Sequence, residues 1–178
     1  MKKLLISLFT IINTIIYSHP HVFFETNFLL HLNKENYIII NLYLDESNTL
    51  IFSSDNKIKN INDIKENEID FIKEIKNHFR IKHNNNLEKG KLIFENAFIK
   101  DNQLNIKLKY ILKKKINKND QIKFSIYDNN YYYTYDYDKY SLQIDSQDLI
   151  TKINLKENKN EAYYFNMIYP LEYEVNFN

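Results

Sequence analysis

Two histidines near the beginning of the chain have the residue type and the spacing to bind a metal ion. His19 and His21 flank Pro20, one of only two prolines in the chain, where an apolar stretch ends and the first alternating segment begins. Neutral imidazole is a ligand that nickel, cobalt, zinc and copper ions all accept. If the chain is cut directly before His19, this residue carries a free α-amine, and its amine and ring can chelate one ion.

Pro20 restricts the geometry of such a site. A histidine at the third position of a mature chain ordinarily suggests a square-planar copper(II) or nickel(II) site that uses deprotonated backbone amides. Proline has no amide proton to lose, so that arrangement is blocked. The sequence then favours a His19 chelate, His21, or both, completed by a side chain from the fold. The candidates for the additional ligand are His31, His78, His83, Asp45, Glu46 and Asp128.

The composition argues against most catalytic chemistry. With a single glycine and no cysteine, the chain has no glycine-rich phosphate loop, no thiol nucleophile and no thiolate metal site. Paired acids such as Asp136 and Asp138 would suit a hydrolase, but such pairs arise by chance in a chain with 26% charged residues. We therefore expect no enzymatic activity.

The first 18 residues are typical of a secretory signal peptide. Lys2 and Lys3 precede an apolar run over residues 4–16, and the small Ser18 stands directly before the expected cleavage point. The run is too short for a comfortable membrane span. We expect export to the periplasm, cleavage after Ser18, and a single domain over residues 19–178.

The charge of the exported chain makes nucleic acid an unsuitable partner. Cleavage of the signal peptide removes two of the 24 basic side chains and none of the 23 acidic ones. The exported chain is therefore nearly neutral and has no basic stripe. Contact with a membrane is expected only through a partner protein.

The elements that must position these histidines are expected to be mostly strands. Strongly apolar runs at 22–32 and 37–44 around a polar turn predict one hairpin. A second is predicted at 91–99 with 103–112, and its last strand alternates apolar and polar residues. Further strands are predicted at 121–127, 130–140, 141–144, 150–155 and 173–177. A 3.6-residue period predicts one main amphipathic helix, at about 62–80. No helix or strand is predicted between the second strand and this helix, where a short apolar patch at 50–52 precedes a polar link over 53–60. Residues 83–86 are expected to be a loop. The fold class is therefore α+β, a mostly antiparallel sheet or sandwich with one main helix.

One predicted strand has an aromatic face. Tyr131, Tyr133, Tyr135 and Tyr137 share one parity between residues 130 and 140. In one interpretation these tyrosines cover the sheet and keep their hydroxyls at its wet margin. In the other, Tyr131, Tyr133 and Tyr135 form a platform for a partner.

Three short segments resemble the DUF1007 family of exported bacterial proteins. The opening His-Pro-His-Val-Phe is similar to the family's HPHVF motif, Asp45-Glu46 closes a segment similar to its FDE-like motif, and Tyr127-Asp128 followed by two tyrosines resembles its YDPxYY-like motif. The resemblance implies a periplasmic component associated with nickel/cobalt-type exporters or permeases. Residues at matching positions are His19, Pro20, His21, Asp45, Glu46, Tyr127 and Asp128.

We therefore expect a periplasmic, non-enzymatic accessory protein of a transition-metal transport system. Its metal would be nickel, cobalt, zinc or copper, held through His19 and His21 with help from Asp45, Glu46 or Asp128, and its partner an inner-membrane transporter or permease. The alternative is an envelope structural or interaction module without metal, in which His-Pro-His only seats the first strand and residues 131–140 form the partner surface.

Overall fold

Two β-sheets face each other across one hydrophobic core in the computed structural model of the protein. The structure describes residues 22–33, 35–60, 64–65, 68–146, 149 and 151–178. In chain order the elements are β1 (Val22–Leu32), β2 (Asn36–Leu44), α1 (Glu46–Asp55), α2 (Glu68–His78), β3 (Phe79–His83), β4 (Asn86–Leu87), β5 (Lys91–Lys100), β6 (Gln103–Ile111), β7 (Gln121–Ile126), β8 (Tyr133–Asp136), β9 (Leu142–Asp145), β10 (Thr151–Glu157) and β11 (Leu171–Phe177). The expected α+β fold, rich in antiparallel strands, is confirmed.

The first sheet has the strand order β5-β6-β2-β1-β8, and β9 also pairs with β1. Both predicted hairpins, β1–β2 and β5–β6, are present. Asp101 and Asn102 connect β5 to β6 with positive φ angles of 51° and 62°, which suit a tight hairpin turn. In contrast to these antiparallel pairs, β8 and β9 run parallel to β1, β8 along its first half and β9 along its second.

The second sheet has the order β10-β11-β7-β3-β4, and its pairs are antiparallel. The two sheets meet at Phe28 of β1, whose ring centroid lies 5.2 Å from that of Phe124 in β7 and 5.7 Å from that of Tyr173 in β11. All three side chains are buried. Edge-to-face contacts of this kind between large aromatic rings stabilise the sandwich beyond the area that they bury.

Two elements differ from the prediction. Residues 46–55 form helix α1, where the sequence pattern predicts neither helix nor strand, and α2 ends at His78, where the chain passes directly into strand β3 instead of continuing as helix to Arg80. Helix α1 escaped the periodicity argument because it buries only Thr49 and Phe52. The predicted beginning of the main helix near residue 62, like His19 and His21, lies outside the described residues. Among the residues that are described, no helix is long and apolar enough to cross a bilayer.

Candidate functional site

The beginning of β1 is held from both sides. The Val22 amide donates a hydrogen bond to the Tyr132 carbonyl at 3.0 Å, and the Phe23 amide donates to Oδ1 of Asn48 at 2.8 Å. Tyr132 directly precedes β8, and Asn48 lies in the first turn of α1. The beginning of β1 is therefore fixed between the β7–β8 loop and the start of a helix.

Asp45 organises the helix side of this junction. As the residue before α1, it caps the helix with Oδ1, which accepts from the Asn48 amide at 2.7 Å and from the Asn48 side-chain nitrogen at 2.9 Å. The second bond orients Asn48 so that its oxygen faces the Phe23 amide. Asp45 itself is exposed and lines a cleft of about 520 Å³ together with Glu25 and Asp136. A carboxylate is stabilised here by the partial positive charge at the helix N-terminus.

Asp128 organises the other side. Its Oδ2 accepts from the amides of Tyr132 at 2.9 Å and Tyr133 at 3.1 Å, and its Oδ1 accepts from the Asn130 amide at 2.9 Å. The residue is only 4% exposed, and three backbone donors compensate the cost of removing its charge from water. Asp128 thus shapes the β7–β8 loop and places the Tyr132 carbonyl where β1 begins.

His78, the last residue of α2, lies against this carboxylate. Its Nε2 is 3.5 Å from Oδ1 of Asp128, and its Nδ1 is 2.8 Å from the Tyr135 hydroxyl. Burial lowers the pKa of His78; Asp128 opposes the shift and Arg80 adds to it. Burial raises the pKa of Tyr135 well above its ordinary value. The lowered pKa favours the neutral imidazole. In the tautomer in which Nδ1 accepts from the Tyr135 hydroxyl, Nε2 carries the proton and faces Asp128.

Glu74, one helical turn before His78, completes a polar cleft of about 690 Å³. Loss of water around the carboxylate raises the pKa of Glu74, and the neighbouring charge of Asp128 raises it further. The lining residues are Glu74, Lys76, Asn77, His78, Arg80, Asp128, Asn129, Asn130 and Tyr132. The i, i+4 spacing of Glu74 and His78 can be read from the sequence. The proximity of Glu74 to Asp128 in the same cleft cannot.

The remaining candidate ligands lie elsewhere. Glu46 accepts from the Asn102 side chain at 3.2 Å, at the turn of the β5–β6 hairpin. His31 is at the far end of β1, with its Nδ1 2.6 Å from Asp145. His83 sits between two carboxylates on opposite sides of its ring, Nε2 3.1 Å from Asp120 and Nδ1 3.9 Å from Glu88. The described residues contain no group of three or more His, Asp or Glu side chains that could hold a metal ion.

The tyrosine platform expected as one alternative is wrong for two of its three residues. Tyr133 is 5% exposed and Tyr135 9% exposed, and the Tyr135 ring stacks on Phe24 with centroids 5.3 Å apart. Because β8 joins the sheet beside β1, its odd-numbered side chains face the core. Tyr131 is half-buried against Tyr164, with ring centroids 5.1 Å apart. The other interpretation is correct in that Tyr133 and Tyr135 cover the sheet, but the Tyr135 hydroxyl is buried against His78 and does not lie at a wet margin.

Comparison with known proteins adds no identification. No protein-family model matches the chain, and no curated protein matches it significantly. The functional argument therefore depends on the geometry around β1 and on the three short segments that resemble the DUF1007 family.

Proposed function

We propose that the protein is an exported, non-enzymatic accessory component of a transition-metal transport system. In this proposal it binds a divalent nickel, cobalt, zinc or copper ion at its N-terminus through His19 and His21. The observation that carries the proposal is that Asn48 and Tyr132, which hydrogen-bond to the beginning of β1, are themselves bonded to the candidate carboxylates Asp45 and Asp128. The resemblance to the DUF1007 family supports the periplasmic location and an inner-membrane transporter or permease as the partner.

Connectivity limits how far the histidines can be from these carboxylates. His21 is covalently joined to Val22, and the three residue steps from His19 to Val22 span at most about 11 Å. From the Val22 amide, one hydrogen bond leads to Tyr132 and a second leads on to Asp128. A similar two-bond path runs from the Phe23 amide through Asn48 to Asp45.

Asp45 is the better candidate for the additional ligand. Asp128 is almost completely buried and already accepts three backbone hydrogen bonds. Asp45 is exposed, and its contacts among the described residues are made by Oδ1 alone. Phe23 and Glu25 are exposed and line the cleft of Asp45.

The ligand set agrees with the metals proposed. Imidazole, amine and carboxylate groups suit zinc, nickel, cobalt and copper(II), whereas copper(I) prefers the thiolates that this chain lacks. Because a metal site needs deprotonated ligands, its affinity should fall as the pH drops through the titration range of histidine.

Isothermal titration calorimetry with Ni(II), Co(II), Zn(II) and Cu(II) tests the site on protein that begins at His19. We expect the His19→Ala, His21→Ala double variant and the Asp45→Asn variant to bind at least about tenfold more weakly. Asparagine caps a helix as well as aspartate does, so Asp45→Asn removes the charge and keeps the cap. Glu46→Gln, a neighbouring carboxylate on the hairpin side, is the matched control and should bind as the wild type does.

Two further results would contradict the proposal. Equal affinity in the wild type, the double variant and Asp45→Asn would favour the alternative in which His-Pro-His only seats the first strand. A version with an extra methionine before His19 tests the α-amine, and its affinity should be reduced. Mass spectrometry of the exported protein should find His19 at the terminus; cleavage at another residue would remove the amine from the site.

A further inference from the structure

The connection between β10 and β11 carries an uncharged apolar segment. Residues 162–170, which we name the aromatic loop, read Ala-Tyr-Tyr-Phe-Asn-Met-Ile-Tyr-Pro and contain no charge, in a chain with 26% charged residues. Its large side chains are exposed: Phe165 to 85%, Met167 to 66% and Tyr169 to 42%. Burying such side chains would release considerable free energy, yet the fold leaves them in water.

The base of the aromatic loop is firmly attached to the second sheet. The buried Asn158 donates its amide to the Pro170 carbonyl at 2.8 Å and its side-chain nitrogen to Glu172 at 3.0 Å. Glu161 pairs with Lys82 of β3 at 2.5 Å and accepts from the Tyr127 hydroxyl at 3.2 Å. The exposure of the tip is therefore not the result of a loosely held connection.

The backbone of the tip holds its side chains outward. Tyr163 and Ile168 exchange two hydrogen bonds, at 2.9 and 3.3 Å, and the Met167 amide donates to the Tyr164 carbonyl at 3.2 Å. Tyr164, Phe165 and Asn166 have consecutive positive φ angles of 47°, 57° and 61°. This left-handed conformation is disfavoured for residues with a Cβ atom, and such strain is typical of functional segments.

A series of ring contacts supports the tip from below. Tyr163 packs on Tyr127 with centroids 4.8 Å apart, Tyr164 on Tyr131 at 5.1 Å, and Phe165 on Tyr164 at 5.2 Å. The inner rings pack on Tyr127 and Tyr131, which lie in the segment between β7 and β8, and the ring of Phe165 is the most exposed of the series. The result is a convex, rigidly supported apolar tip.

We propose that the aromatic loop inserts into the interfacial region of a lipid bilayer, in contrast to the expectation from the sequence that the protein contacts a membrane only through a partner. Tyrosine and phenylalanine suit this region because their rings tolerate both hydrocarbon and headgroups. The hydrogen bonds between Tyr163 and Ile168 satisfy backbone groups that a bilayer would otherwise leave unpaired. The absence of charge in the loop predicts insertion that does not depend on anionic lipid.

A protein partner suits the tip less well. A specific protein interface needs about 800 Å² from each partner, whereas a large side chain buries at most about 250 Å². Phe165, Met167 and Tyr169 together fall short of that area even when completely covered. A fluid lipid surface needs no such complementary shape. None of the residues of the aromatic loop is a proposed metal ligand, although Tyr164 packs on Tyr131 of the β7–β8 loop that Asp128 shapes.

The absence of tryptophan from the chain makes the test direct. In the Phe165→Trp variant the only indole marks the tip, and we expect its emission to shift to shorter wavelength when neutral phosphatidylcholine vesicles are added. Phe98→Trp is the matched control, since Phe98 is an exposed phenylalanine, 48% accessible, on the edge strand β5. Its emission should not shift. Circular dichroism establishes that both variants are folded.

Sedimentation with the same vesicles measures the affinity of the protein without a probe. The Phe165→Ser, Met167→Ser double variant should partition at least about tenfold more weakly than the wild type, and Phe98→Ser, Ile99→Ser should partition as the wild type does. Equal partitioning of all three proteins would overturn the proposal. So would binding that requires phosphatidylglycerol and disappears in high salt, or loop-dependent dimerisation in the analytical ultracentrifuge, which would make a second copy the occupant.

Discussion

Replacing Asp128 by alanine should strongly destabilise the protein, because one side chain satisfies three backbone donors. The amides of Asn130, Tyr132 and Tyr133 lie 2.9, 2.9 and 3.1 Å from its carboxylate oxygens. Hydrogen bonds to a charged group contribute about 1.5–3 kcal/mol each, and a buried donor without an acceptor costs about 1–3 kcal/mol. Water from the adjoining cleft can replace part of this loss, so we expect a decrease of roughly 3–5 kcal/mol in the free energy of unfolding.

That loss is large compared with the roughly 5–15 kcal/mol that usually separates folded from unfolded domains. Urea denaturation followed by circular dichroism measures it as a lower midpoint with an unchanged m-value. Asp128→Asn retains an acceptor oxygen and should lose about 1–2 kcal/mol. The matched control is Asp136→Asn, an exposed carboxylate in β8, which should change stability by less than about 0.5 kcal/mol. If Asp128→Ala were as stable as Asp136→Asn, the carboxylate would not organise this loop.

Two further substitutions test other parts of the structure. The pKa of Glu74 is raised in the folded state above its ordinary value of 4.5. The stability that protonated Glu74 contributes is therefore fully present below pH 4.5 and is lost as the pH rises through the pKa of the folded protein. Glu74→Gln should therefore be more stable than the wild type at pH 7 and equal to it near pH 3 in urea titrations; a difference that persists at pH 3 would contradict this origin. Gly90→Ala should destabilise the protein by about 1–3 kcal/mol or more, because its Cβ would lie 2.2 Å from the Ile111 carbonyl oxygen and 2.5 Å from the Tyr110 ring. Calorimetric melting measures the effect. An unchanged melting temperature would show that the Gly90 backbone does not lie so close to Ile111 and Tyr110.

The hairpins could be predicted because their signals are local. Strands β1 and β2 are apolar, β-branched and aromatic runs on either side of a short polar turn, and Asp101-Asn102 is a turn pair between β5 and β6. Helix α1 could not be predicted from periodicity, because its single large buried side chain is Phe52. Strand β3 was hidden because His83 occupies an inward position that the sequence pattern assigns to a polar loop.

The parallel pairing of β8 with β1 has no local signal at all. Val22 and Tyr133 are partners across more than a hundred residues, and nothing in either segment specifies the other. The same pairing turns Tyr135 into the core, so that Tyr135 cannot belong to the exposed tyrosine platform that the alternation of residues 130–140 suggested. It also brings the β7–β8 loop, with Asp128, to the beginning of the first strand.

The amino-acid sequence by itself determined the chemistry available to this protein: imidazoles at His19 and His21, a proline that blocks amide chelation, carboxylates at Asp45 and Asp128, and no thiol. Residue type fixes which atoms can bind a proton or a metal, and this requires no fold. Only the tertiary structure decided which of these groups meet. Proximity between residues distant in the chain arises from strand pairing and core packing, so the fold assigned Asp45 and Asp128 to the start of β1 and sent Glu46, His31 and His83 elsewhere.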